Sequence, residues 1–111
     1  MFDNATLQAL LDDIKDVIAR GVRFLAAGQK CRFDLPTQLV DLASGVSTVD
    51  GRLAVELAMS VLNVRCSSRS LIHAIPIVHR AKGPEALRFG EYVMAVGDEE
   101  VRQHVREALS E

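Results

Sequence analysis

Residues 7–25, LQALLDDIKDVIARGVRFL, determine the fold class, because their apolar side chains recur mostly at intervals of three and four residues. This interval places the side chains on one face of an α-helix. The apolar positions are Leu7, Leu10, Leu11, Ile14, Val17, Ile18, Phe24 and Leu25. Asp3 is a residue type that caps the amino end of a helix, and Gly28 is one that ends a helix in the left-handed conformation. The pattern therefore predicts a first helix of about 24 residues.

The rest of the chain repeats this period between residues that commonly begin or end helices. Pro36 and Pro84 each fit a first helical turn, and Asp98 can cap a last helix. Gly21 lies on the apolar face of the first helix, where its missing side chain would let another helix approach closely. We therefore predict an all-α fold for residues 1–111, one compact bundle of about six short-to-medium helices.

Two short apolar runs leave an alternative open. Residues 71–79 and 89–96 are short enough and apolar enough to fit buried strands as well as helices. If both were strands, the fold class would be α+β. The helix-start signal at Pro84 and the glycine at Gly97 favour a helix for the second run.

Composition limits the function classes. The 111-residue chain is 49% hydrophobic and 25% charged, values typical of a folded domain, and its formal net charge is −2. This balance argues against a disordered acidic segment and against a polybasic nucleic-acid tail. Charges interrupt every long apolar stretch, so no membrane-spanning segment is expected. Two cysteines, Cys31 and Cys66, are too few for a disulfide framework, and we expect a reduced, cytoplasmic protein.

The charges are unevenly distributed along the chain. Residues 17–33 and residues 57–84 each contain four basic side chains and no acidic one, while residues 91–111 carry a net charge of −4. One interpretation is that the arginines form exposed ion pairs with the acidic segments of the same bundle. The other is that the two acid-free segments lie side by side and attract an acidic partner.

Residues 58–72, AMSVLNVRCSSRSLI, resemble a helix-turn-helix, in which a tight turn leads into a recognition helix. Met59 and Arg69 depart from the pattern, because those positions usually hold a small and an apolar side chain. The resemblance implies DNA binding as an alternative function. The side chains that would face the major groove and the phosphates are Arg65, Ser67, Ser68, Arg69 and Ser70. The structural alternative is an ordinary interhelical connection in which the serines are caps.

Candidate catalytic and metal-binding side chains are scattered. The cysteines and histidines form no CxxC or HxxxH motif and no pair at ligand spacing; they are Cys31, Cys66, His73, His79 and His104. Cys31 lies between two cations, but the sequence pairs it with no histidine base. We therefore expect no catalytic residues, no cofactor and no metal.

The remaining function class is binding. We expect a small non-catalytic module or regulator that binds a larger protein with an acidic surface, through an apolar surface rimmed by arginines. The candidate contact residues are Arg20, Arg23, Arg32, Arg65, Arg69, Phe89 and Tyr92. The surplus of apolar residues over what a small core needs also makes a homodimer an open alternative.

Overall fold

The computed structural model describes residues 3–110, and within that range the chain forms six helices and no strand. The helices are α1 Asn4–Ala26, α2 Leu35–Val46, α3 Gly51–Leu62, α4 Ser68–Arg80, α5 Pro84–Val96 and α6 Glu99–Ser110. The predicted all-α bundle of about six helices is confirmed. The strand alternative is wrong, because residues 71–79 lie in α4 and residues 89–96 lie in α5.

Short polar side chains cap the amino ends of five of the helices. Each accepts a hydrogen bond from the backbone amide three residues later, and so satisfies an amide that has no partner inside the helix. These caps are Asp3, Asp34, Asp50, Ser67 and Asp98. Gly28 follows α1 with a φ of 73°, which is the left-handed conformation expected for it.

The core lies around α2 and α4, which pack against each other. α4 also contacts α3, α5 and α6, while α1 packs on the other side against α2 and α3. Gly21 allows the close approach of α1 and α2, because a Cβ built there would lie 2.5 Å from Leu39 Cδ1. The packing role predicted for Gly21 is therefore confirmed. In the described part of the chain, no helix has the length and apolarity needed to cross a membrane.

The amino end of α6 is fixed by carboxylates. Asp98 accepts hydrogen bonds from the Ser68 hydroxyl at 2.7 Å and from the Val101 amide at 3.0 Å, so it joins α6 to α4. These bonds hold the pKa of Asp98 below its ordinary value. Arg106, whose Nη1 lies 2.9 Å from Glu99 Oε1, lowers the pKa of Glu99 in the same way.

We expect the free energy of unfolding to fall as the pH is lowered into the acid range. Asp98 and Glu99 have lower pKa values in the folded chain than their ordinary values of 3.8 and 4.5, so the unfolded chain binds more protons there. Their stabilising contribution is complete above the ordinary values and is lost as the pH falls through the lowered ones. Urea titrations at successive pH values measure this slope.

Two variants identify the groups responsible. Asp98→Asn keeps an acceptor for the Val101 amide but does not titrate, so its stability should depend less steeply on pH. Asp13→Asn removes one negative charge at an exposed carboxylate of α1 that has no hydrogen bond or ion pair among residues 3–110, and it controls for the loss of a charge alone. Equal slopes in both variants and the native chain would contradict the assignment.

Candidate functional site

Two interhelical connections meet at one end of the bundle. Residues 27–34 join α1 to α2, residues 63–67 join α3 to α4, and between them lies a groove of about 560 Å³. We name it the basic groove. It is lined by Leu25, Gly28, Gln29, Lys30, Cys31, Phe33, Asp34, Leu35, Pro36, Arg65 and Ser67. Its walls therefore bring together the two acid-free segments, 17–33 and 57–84.

Cations outnumber carboxylates in this groove. Lys30 comes from one wall and Arg65 from the other, and Arg32 lies between two lining residues. Among residues 3–110, none of these three side chains forms an ion pair. The one lining carboxylate, Asp34, already lies 3.9 Å from the Arg69 Nε. The groove therefore has a local excess of positive charge.

A chain of hydrogen-bonded hydroxyl groups connects two of the residues that line the groove, Ser67 and Asp34. The Thr37 hydroxyl donates to Asp34 Oδ2 at 2.8 Å, and it contacts the Ser70 hydroxyl at 3.2 Å. The Ser67 hydroxyl donates to Ser70 at 3.0 Å. Because the Thr37 proton is used by the carboxylate, the Ser70 proton must point to Thr37, so the donors run in one direction from Ser67 to Asp34. This chain fixes two lining residues, one in each wall.

The groove also has an apolar part. Phe33, one of the four phenylalanines in the chain, has a side chain that is 53% exposed. Leu35 and Pro36 beside it are half-buried, and Leu25 forms the buried base. An exposed aromatic side chain in a groove that is also lined by two cations is typical of a binding surface rather than of a core.

The other arginines predicted for this surface lie in three settings. Arg69 lies next to the groove through its contact with Asp34. Arg20 is paired with Asp16 on its own helix at 2.8 Å, as the intramolecular interpretation expected. Arg23 is exposed on α1 and does not line the groove. The arginines thus divide between the two interpretations.

Phe89 requires a correction. It was expected to be an exposed anchor, but it is 2% exposed and belongs to the core. Tyr92 is half-buried next to it, with ring centroids 6.3 Å apart. Burial, and then the neighbouring Cys66 thiol, raises the pKa of Tyr92 above its ordinary value. Both rings line a cavity of about 210 Å³ together with Glu85 and Arg88, but Phe89 is too buried to be the exposed contact residue that was predicted.

The serines of the helix-turn-helix interpretation are engaged inside the protein. Ser70 is fully buried and cannot face DNA, and the Ser68 hydroxyl donates to Asp98. Ser67 caps α4 through the Ser70 amide, as the structural alternative expected. Asp98 beside Ser68 and Asp34 beside Arg69 would repel phosphates, whereas Arg65 lines the basic groove and forms no ion pair among residues 3–110.

Several lining residues were missed by the sequence analysis. None of Lys30, Phe33, Asp34 and Pro36 was among the predicted contact residues; the first three lie in the polar connection between α1 and α2, and Pro36 was expected only in a first helical turn. A phenylalanine inside such a connection was the one available signal, because an aromatic side chain there has no helix face through which to enter the core.

The histidines and cysteines form no reactive arrangement in the range that the structure describes. His73 Nδ1 lies 2.7 Å from Asp41 Oδ1, but the neighbouring Ser44 hydroxyl donates to the His73 carbonyl and not to its ring. Both cysteines are exposed free thiols, and no three His, Cys, Asp or Glu side chains of residues 3–110 are grouped closely enough to hold a metal ion.

Comparisons of the chain with protein-family models, with curated proteins and with solved structures give no match.

Proposed function

We propose that this protein is a small non-catalytic interaction module that binds an acidic segment of a larger protein in the basic groove. The observation that supports this proposal is the meeting of the two acid-free segments at one concave surface. We place its action in the cytoplasm, where the exposed thiols of Cys31 and Cys66 stay reduced.

The charges of the basic groove predict that the ligand contains acidic residues. Lys30 and Arg65 both line the groove and form no ion pair among residues 3–110, so an acidic ligand that binds them would replace no existing ion pair. Arginine can bind a carboxylate through two parallel hydrogen bonds, which fixes the orientation of the ligand. Such charges also accelerate encounter with an acidic partner.

The apolar part of the groove predicts that the ligand also contains an apolar side chain. Exposed charges alone contribute little affinity, because water and salt screen them. Phe33, Leu35 and Pro36 offer apolar area in the same groove. We therefore expect the bound segment to combine Asp or Glu with at least one large apolar side chain, which would supply the central contact.

Selection from a library of random peptides displayed on phage tests the proposal. At low salt, the full chain should enrich peptides that contain several acidic residues and an apolar one. Synthetic copies of these peptides should bind about tenfold or more weakly to the double variant Lys30→Glu, Arg65→Glu, because two attractive charges become repulsive. Fluorescence anisotropy measures the dissociation constants.

A matched control carries the same change of charge elsewhere. Arg80 and Lys82 are exposed, belong to the same acid-free segment as Arg65 and do not line the basic groove. Their double variant, with Glu at both positions, should bind the peptides about as well as the native chain. Equal losses in both double variants would show a general charge effect and would reject the groove.

The same assay includes duplex DNA as a competitor ligand. Salt-dependent duplex binding that is lost in the double variant Arg65→Glu, Arg69→Glu, with no enrichment of acidic peptides, would replace this proposal by the DNA-binding alternative.

A further inference from the structure

A second groove lies between α5 and α6, with Val78 of α4 at its base. Its volume is about 550 Å³, and it shares no lining residue with the basic groove. Except for Glu91, every lining residue is apolar or glycine. This surface therefore needs an explanation separate from the proposed function.

The groove exposes two leucines. Leu87 on α5 is 70% exposed and Leu109 on α6 is 61% exposed, the highest values among the large hydrophobic side chains of residues 3–110. Leu87 lies only two residues before the buried Phe89, so α5 has one apolar face turned into the core and another turned to solvent. A second apolar face on a short helix is typical of a contact between proteins.

Gly90 in this groove is not required by the packing of the chain itself. A Cβ built there would lie 3.5 Å from Val78 Cγ1, which is ordinary van der Waals contact, so alanine would fit. Glycine inside a helix is less favourable than alanine. A close neighbour on the open side of the groove would explain the glycine.

The charges at the two walls have opposite signs. Glu91 is exposed on α5, and within the described residues it has no ion-pair partner. On α6, Arg102 and Arg106 precede Leu109 by seven and three residues, which are positions on the same helix face. Both also lie near Glu99 of that face, at 3.8 and 2.9 Å, so these three side chains together carry a net charge of +1. Arg102 lies at the groove itself, because its Nε donates to the Met94 carbonyl at 3.0 Å.

We propose that a second copy of this chain covers the groove, with α5 of each copy lying over α6 of the other. A two-fold axis parallel to the groove produces this arrangement and brings each Glu91 towards the arginines of the opposite α6. Every contact then occurs twice, as in other symmetric dimers. Glu91 carries −1 on one wall, and Glu99, Arg102 and Arg106 together carry +1 on the other, so a second copy matches the net charge of both walls. A partner of one charge sign would match only one of them.

Sedimentation velocity over a range of protein concentrations tests the dimer. The native chain has a mass of 12.1 kDa, and at high concentration the sedimenting species should have twice this mass. Leu87→Glu and Leu109→Glu should each remain monomeric, because a charge would be buried in the apolar groove. Leu42→Glu, at an exposed leucine of α2, should dimerise like the native chain.

Three further variants distinguish a specific contact at this face from nonspecific association of exposed apolar side chains. Glu91→Arg should weaken the dimer about tenfold. In the background of Arg106→Glu, which also breaks the pair with Glu99, the same change should instead strengthen the dimer, because opposite charges then meet across the interface. Gly90→Ala should raise the melting temperature of the monomer and yet weaken the dimer. A native chain that stays monomeric at every concentration, or a dimer that survives both leucine variants, would overturn the proposal.

Discussion

Ile18→Ala is expected to lower the free energy of unfolding by about 2 to 5 kcal/mol. Ile18 is 1% exposed, and it lies on α1 at the contact with the remainder of the bundle. Removing most of this side chain loses buried apolar area and leaves a cavity that the neighbouring helices fill only in part. A domain of this size is stable by only about 5 to 15 kcal/mol, so the variant loses a large part of its stability.

The neighbouring residue supplies the control. Val17 is 48% exposed, and alanine is the better helix former, so Val17→Ala should change the free energy of unfolding by less than about 0.5 kcal/mol. Urea titrations of both variants measure the difference. If the two variants differed by less than about 1 kcal/mol, the assignment of the α1 contact face would be wrong.

This pair also shows what the sequence predicts and what it does not. The helix ends are local features, so Asp3, Gly28 and Asp98 were placed correctly from residue type alone. The period likewise predicts that Val17 and Ile18 share the apolar side of α1. Which of them is buried depends on the helices that pack there, and adjacent residues on a helix point about 100° apart.

The correction at Phe89 has a local reason. Phe89 recurs with Ala86 and Val93 at intervals of three and four residues, so the period of α5 favours burial of Phe89 rather than of Leu87. The burial itself is provided by α3 and α4, which contact α5. As a result Phe89 belongs to the core, and Leu87 forms the exposed surface that had been expected around Phe89.

The basic groove depends on contacts between residues far apart in the chain. The uneven distribution of charge was visible in the sequence, and one of its two interpretations placed segments 17–33 and 57–84 side by side. Lys30 and Arg65, however, belong to two different connections, and only the packing of α2 and α4 brings those connections together. No periodicity within one helix carries that information.

Ser70→Val is expected to lower the free energy of unfolding by about 2 to 4 kcal/mol. The Ser70 hydroxyl links Ser67 to Thr37, and its position is fully buried. Valine breaks this chain of hydroxyl groups and inserts additional carbon into a filled site. Because Ser67 and Asp34 line the basic groove, the variant should also bind acidic peptides more weakly under conditions where it is still fully folded.

Ser60→Val is the matched control, because the Ser60 hydroxyl donates only within its own helix, to the Leu57 carbonyl at 2.7 Å. Its loss should be less than about 1 kcal/mol, and its peptide affinity should equal that of the native chain. Urea titration and fluorescence anisotropy on the same samples separate the two effects. If Ser70→Val proved as stable as Ser60→Val, the hydroxyl chain would not hold the two walls of the groove together. Weaker peptide binding would then require a direct contact between Ser70 and the ligand, which the burial of Ser70 excludes.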